Sequence, residues 1–352
     1  MSSSPHESSS SAGNPLVQQT LSLMSTAAGY MRLPAIATSG LAALLTALLY
    51  FKQKYILHRP PDFNDNVILT SSSPLRALIY PASIPANART DVPRPSQYHF
   101  SDYEELIIPT NDGEKLSAFY IRGPRRNNPN SDVTVLMFHG NAGNIGHRLP
   151  IARMLIAATG CNVFMLEYRG YGISTGTPDE SGLNMDAQTA LDYLRDRAET
   201  RNHKIVVYGQ SLGGAVGIKL VAKNQSQGGK GGDIVGLVLE NTFLSMRKLI
   251  PSIMPPAKYL AYLCHQVWGS DGLIGGIKVP TLFLSGLQDE IVPPIHMKKL
   301  YDLSNAPVKI WKPLPGGDHN SSVIEEGYFE AIAEFINRVV RERREKDEKD
   351  EL

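Results

Sequence analysis

Short apolar runs alternate along the middle of the chain with stretches whose apolar positions recur at helical spacing. Glu104 to Ile108 and Leu116 to Ile121 predict two strands, joined through a hairpin turn at Asn111-Asp112-Gly113. Val133 to Phe138 is an apolar run of the kind that a parallel strand covered on both faces requires, and it leads into His139-Gly140-Asn141-Ala142-Gly143-Asn144. A helix follows from about Ile145 to Ala158, then a buried strand from Asn162 to Glu167 that ends in Tyr168-Arg169-Gly170-Tyr171-Gly172. Leu183, Ala187, Ala190, Leu191 and Leu194 share one face of a second helix. Lys204 to Tyr208 predicts the next strand and Leu212 begins the next helix. Ile234 to Leu239, Thr281 to Leu284 and Val308 to Trp311 complete the strands, with a longer, proline-marked insertion at 243–277. The closing helix sets Ile332, Phe335, Ile336 and Val339 on one face. Strand and helix alternate, which predicts an α/β fold with a mostly parallel, doubly wound sheet.

The pattern changes before Tyr98. Residues 1–32 are rich in serine and predict a disordered head. Leu33 to Phe51 carries no charge, with Arg32 before it and Lys52 and Lys54 after it, which predicts an N-terminal transmembrane helix over 33–51. Residues 52–97 read as a proline-punctuated connector, 98–340 as the globular domain, and 341–352 as a charged tail. The tail ends Lys349-Asp350-Glu351-Leu352, the retrieval signal of the endoplasmic reticulum lumen. Lys52, Lys54 and Arg59 after the span instead favour a cytosolic domain. The expectation is a single-pass protein of the endoplasmic reticulum membrane, with the side left open between these two signals. Glycan on the sequon Asn224-Gln225-Ser226 would place the domain in the lumen.

Composition narrows this picture little. With 352 residues and 42% hydrophobic content, the chain is long enough for one large domain and an appendage. A net charge of +1 gives no reason to expect nucleic acid as a partner. Two cysteines, Cys161 and Cys264, do not suggest a disulfide framework.

Chemistry enters at Gly209-Gln210-Ser211-Leu212-Gly213, where an apolar strand ends, a Gly-x-Ser-x-Gly turn intervenes and a helix begins. Such a turn holds the serine in a strained backbone, and the two glycines stand where a Cβ would collide with neighbouring elements. A serine hydroxyl needs a base to take its proton, and the base needs a carboxylate to fix its tautomer. In open α/β sheets the site lies beyond the carboxyl ends of the strands. Among residues after strands, Asp289 and His319 follow Ser211 in the order serine, acid, histidine. Glu240 also ends a strand and is a rival acid, with Glu290 and Asp318 behind it, while His139 reads as structural. The oxyanion donors are expected to be the N–H groups of Leu212 and Asn141, with Ala142 second to Asn141 and close to substrate. Gly140 and Gly143 would let that loop approach the substrate. The Gly-rich turn could alternatively bind phosphate, but the lysine and glycine pattern that phosphate sites use is missing.

On Phe138-His139-Gly140-Asn141-Ala142-Gly143, Tyr168-Arg169-Gly170-Tyr171-Gly172, Gly209-Gln210-Ser211-Leu212-Gly213-Gly214, Asp289-Glu290-Ile291-Val292-Pro293 and Gly317-Asp318-His319, the chain resembles the α/β-hydrolase superfamily over roughly 98–340. More narrowly it is similar to the single-pass fungal serine hydrolases named for bud emergence and to animal α/β-hydrolase-domain proteins that remove fatty acyl groups from cysteines. The resemblance implies a Ser–His–Asp hydrolase working without cofactor or metal, and leaves the substrate open. The insertion carries Leu249, Ile250, Ile253, Met254, Tyr259, Leu260, Leu263 and Trp268, an apolar set that would suit an acyl chain, with Trp268 as a substrate contact, or would simply pack the insertion onto the domain. The expected function is a membrane-anchored serine hydrolase of acyl esters or thioesters, on a lipid or lipidated protein. A peptidase is less expected, because no acidic pair stands ready for a free amino terminus. The alternative is a non-catalytic scaffold in cell polarity or trafficking that keeps the fold.

Overall fold

In the computed structural model of the protein, the described residues are 76, 79–225, 233–253 and 261–350. The head, the 33–51 run and most of the connector lie outside them, as do Met254, Tyr259, Leu260 and the last two residues of the tail. Among the described residues, no helix is long and apolar enough to cross a membrane.

The predicted alternation is realised as β1 (Tyr103–Pro109), β2 (Lys115–Ile121), β3 (Val133–Phe138), α1 (Leu149–Thr159), β4 (Asn162–Leu166), α2 (Glu180–Asp196), β5 (Lys204–Gln210), α3 (Leu212–Asn224), β6 (Ile234–Glu240), α4 (Met246–Ile253), α5 (Ser270–Leu273), β7 (Thr281–Gly286), α6 (Ile295–Leu303), β8 (Lys309–Leu314) and α7 (Tyr328–Asp350). The strands form one eight-stranded sheet in the order β1-β2-β4-β3-β5-β6-β7-β8. The β1–β2 and β2–β4 pairs are antiparallel, and the rest are parallel.

The central strands are apolar on both sides because helices cover both faces. Alternate residues serve opposite cores. Leu136 and Phe138 of β3 and Val207 of β5 pack with α2 and α3, through Leu183, Leu191, Val216 and Leu220. Val135 and Met137 of β3 and Val206 of β5 pack with α1 and α7, through Leu155, Ile332, Phe335 and Ile336. After β3 the chain moves out to β4 and returns to β5 on the other side of β3. The ends of β3 and β5 therefore open a crevice at the carboxyl edge of the sheet, where ligand sites form in such folds.

Described apolar residues of the insertion are packed into the domain. Leu249 and Trp268 are buried in the same core as α2 and α3. Asn224 is also fully buried, and its amide donates to Gln188 Oε1 and to the Leu220 carbonyl. The folded domain has no room for a glycan at this sequon.

Arg169 ties the antiparallel edge to the parallel centre. Its Nε and backbone N–H donate to the two oxygens of Asp186 in α2, and its two terminal nitrogens donate to Asp112 in the β1–β2 turn. Burial pushes the Asp186 carboxyl up to about 6, against the opposing pull of Arg169. Arg169→Met is expected to lower stability at pH 7 by about 3 kcal/mol, because it leaves a buried carboxylate without its cation. Unfolded Asp186 titrates near its ordinary value, so between there and the raised folded value the native state binds the extra proton. The deficit should therefore narrow as the pH falls from 7 to 5. Urea unfolding at both pH values checks this; a deficit that widens on acidification would show that the carboxylate is not the source.

Candidate active site

Ser211 sits between β5 and α3 with φ 53° and ψ −117°, a left-handed conformation that a side chain normally avoids. Neighbouring contacts hold it there. Its N–H donates to the Glu240 carbonyl at 2.8 Å, and its carbonyl accepts from Thr242 Oγ1 at 2.6 Å. The flanking glycines are required by close approach. A Cβ on Gly209 would lie 2.2 Å from the Gly213 carbonyl oxygen, and one on Gly213 would lie 2.1 Å from the Phe138 carbonyl oxygen.

The structure brings Ser211, His319 and Asp289 together. His319 Nε2 is 3.0 Å from Ser211 Oγ, and His319 Nδ1 is 2.7 Å from Asp289 Oδ2. A carboxylate accepts, so Nδ1 carries the proton and Nε2 faces the serine hydroxyl as an acceptor. Asp289 Oδ1 accepts the N–H groups of Ile291 and Val292 at 2.9 and 2.7 Å, which leaves Oδ2 for the imidazole. All three residues are nearly buried, at 6%, 8% and 4% exposure, so their mutual attraction is little screened.

Glu240 is not in this relay. Its carboxylate accepts from Tyr208, Tyr328 and Gln210, and burial pushes its acidity down. Gln210 in turn reaches the His319 carbonyl at 3.5 Å. Glu290 is exposed, and Asp318 Oδ1 caps the turn by accepting the N–H groups of Asn320 and Ser321. Asn241, which follows Glu240 and carries no motif in the sequence, steadies the histidine loop. Its amide donates to the Asp318 carbonyl and Ser322 Oγ, and its Oδ1 accepts from the Gly286 N–H at the end of β7.

The loop after β3 runs beside the serine: a Cβ built on Gly140 would sit 3.7 Å from Ser211 Cβ. That distance is ordinary contact, so Gly140 is not forced by crowding. Gly143 is, with φ +77° and His147 in the way of a Cβ. Three successive carbonyls of this loop are held by side chains. His139 Nδ1 donates to Gly140 O at 2.7 Å, Tyr171 Oη to Asn141 O at 2.9 Å, and Arg148 Nη2 to Ala142 O at 3.2 Å. In a trans peptide the N–H of the next residue points opposite to the carbonyl. Holding the Gly140 and Asn141 carbonyls therefore aims the N–H groups of Asn141 and Ala142 away from His139 and Tyr171. Leu212 opens α3, so its N–H has no partner within the helix.

His139 itself is buried, with Nε2 3.1 Å from Glu167 Oε1, while Glu167 Oε2 accepts the Ile145 N–H. Tyr168 Oη donates to the His139 carbonyl at 3.0 Å. The Tyr-Arg-Gly-Tyr loop thus supports the β3 loop, a role its sequence did not disclose. Trp268 requires a correction. It is 1% exposed, and its indole N–H donates to Tyr80 Oη at 2.9 Å, so it is a buried support and not a substrate contact. Ala142 is half-buried.

Comparison with known proteins agrees with this architecture. Residues 129–274 match the family model described as serine aminopeptidase, S33. The chain is 43% identical over 263 residues to protein bem46 of Schizosaccharomyces pombe, covering 74% of this chain and 85% of the relative. It is 42% identical to the uncharacterized membrane protein YNL320W of Saccharomyces cerevisiae, covering 74% and 87%. The crystal structure of an alpha-beta hydrolase from Vibrio vulnificus superposes with a TM-score of 0.59 at 19% identity, over 80% of this chain and 97% of that one, which is a likeness of fold. The chain belongs to the α/β-hydrolase family, in the branch that includes bem46.

Proposed function

We propose that this hydrolase is a membrane-anchored serine esterase or thioesterase in which Ser211 attacks the carbonyl of an acyl ester or acyl thioester. The observation that carries the reading is the unbroken relay from Ser211 Oγ through His319 to Asp289. His319 Nε2 takes the hydroxyl proton as Oγ bonds to the carbonyl carbon, and Asp289 stabilises the imidazolium that results. The oxyanion is held by the N–H groups of Leu212 and Asn141, with Ala142 beside them. Collapse expels the alcohol or thiol, which leaves with the proton from His319. Water, deprotonated by the same nitrogen, then releases the acid and restores Ser211. No cofactor or metal takes part in these steps.

The uncharged 33–51 run supports a membrane anchor, and the name of the yeast relative as a membrane protein agrees with it. Together with the terminal Lys-Asp-Glu-Leu these features favour the endoplasmic reticulum membrane, and a site tethered to a membrane suits an acyl substrate carried by a lipid or a lipidated protein. The test is a fluorophosphonate probe on the full-length protein, followed by mass spectrometry of the adduct and a panel of acyl esters, thioesters and aminoacyl amides. The expected adduct is on Ser211, with turnover of esters or thioesters over amides. A folded protein that takes no label would return the reading to a non-catalytic scaffold, and preference for aminoacyl amides would make it a peptidase.

A further inference from the structure

The chain upstream of β1 is fixed to the loop that follows β3, residue by residue. The Asn141 amide donates to the Ile79 carbonyl at 3.1 Å. The Gly143 N–H donates to the Ile84 carbonyl at 2.7 Å. The Asn144 amide donates to the Ala88 and Asp91 carbonyls, both at 2.9 Å. Pro93 lies so close to Gly146 that a Cβ there would approach it to 2.5 Å. The segment is itself pinned at its start. Tyr80 is buried, and its hydroxyl accepts from Trp268 and donates to Gln266 Oε1 at 2.7 Å.

These contacts complete the restraint of the loop. His139, Tyr171 and Arg148 hold the carbonyls of Gly140, Asn141 and Ala142. The upstream segment takes the Asn141 side chain, the Gly143 N–H and the Asn144 side chain. With their neighbours fixed on both sides, the Gly140–Asn141 and Asn141–Ala142 peptides have little freedom to rotate, and their N–H groups keep one direction without reorganising during reaction.

We propose that residues 79–93 form a positioning strap for the oxyanion donors, so that the stretch leading from the apolar run into the domain belongs to the catalytic apparatus. This rests on reading the Asn141 and Ala142 N–H groups as those donors. A strap of this kind acts on the transition state and leaves substrate binding in the ground state largely unchanged.

The test uses the full-length protein in detergent micelles and an ester that the wild type hydrolyses. Asn144→Asp keeps the oxygen that accepts the His147 N–H and removes both donations to the strap. Tyr80→Phe keeps the buried ring and removes both hydroxyl bonds. We expect kcat to fall about 10²-fold in Asn144→Asp and about tenfold in Tyr80→Phe, with KM within about twofold of the parent. Asn144→Gln, which restores an amide on a longer stem, should recover part of the loss. Thermal melting is followed in parallel, and Tyr80→Phe stands in if the aspartate variant does not fold. Folded variants with parental kcat, or with a loss confined to KM, would overturn the strap. A wild type that labels at no serine and turns over no ester would instead remove the hydrolase reading, a result distinct from strap variants that match their parent.

Discussion

His319→Ala is expected to lower kcat by roughly 10⁶-fold while the protein stays folded. The imidazole is the single group 3.0 Å from the Ser211 hydroxyl in the relay, and it is the group oriented by Asp289. Without it, the hydroxyl keeps its proton and is no better a nucleophile than an ordinary alcohol. What rate survives comes from the backbone donors and from binding. The effect on folding should be small, about 1 kcal/mol, because the imidazole contributes two hydrogen bonds at the rim of the core. Asp289 keeps the Ile291 and Val292 N–H groups when the histidine is gone. Steady-state kinetics and near-ultraviolet dichroism on the same preparation check both halves. A fall in kcat of less than tenfold would remove His319 from the role of base.

Gly213→Ala is expected to act on the fold instead, with a loss of more than about 4 kcal/mol. The added methyl would lie 2.1 Å from the Phe138 carbonyl oxygen, 2.6 Å from its carbon and 2.8 Å from the His139 oxygen. All three are backbone atoms of β3 and its loop, so no side chain can swing aside. Relief requires α3 to retreat from the sheet and draw Ser211 with it. The contrast is Gly140→Ala, whose methyl meets nothing nearer than 3.7 Å and should shift the unfolding midpoint little. Urea unfolding of the two variants separates them; a Gly213→Ala midpoint equal to that of Gly140→Ala would refute the argument from close approach.

The contrast between these glycines shows what could be read from the chain alone. The pattern Gly-x-Ser-x-Gly marks a tight turn, and the apolar runs on either side of it are long enough to be strands and helices. Central parallel strands are legible because both of their faces are buried, as in Val133–Phe138 and Ile234–Glu240. The order of Ser211, Asp289 and His319 follows from the loops that end such strands. Asp289 and Glu240 both follow strands, so position along the chain does not separate them. Facing does: Glu240 shares the side of the sheet taken by Tyr208 and Tyr328, and its carboxylate is spent there. Trp268 is ambiguous as sequence, because an apolar residue in an insertion looks the same whether it covers a site or fills a core. Ile79 to Pro93 falls in the proline-punctuated connector 52–97, and its sequence does not show the β3-loop contacts because they are made to main-chain carbonyls.

That segment carries a further consequence for how the protein tolerates change. The grip on Ile79, Ile84, Ala88 and Asp91 is made to main-chain carbonyls, and every amino acid supplies one. Side chains at Ile84 and Asp91 are thus free to drift, provided the backbone follows the same course. Insertions and deletions are a different matter, because one residue more or less would put every carbonyl out of step with Asn141, Gly143 and Asn144. The exposed positions of the stretch should accept many spellings, while buried Ile79, Tyr80, Ala88 and Val92 stay constrained and the length is fixed, and a protein trimmed at the apparent start of the domain near Tyr98 would lose the whole register at once.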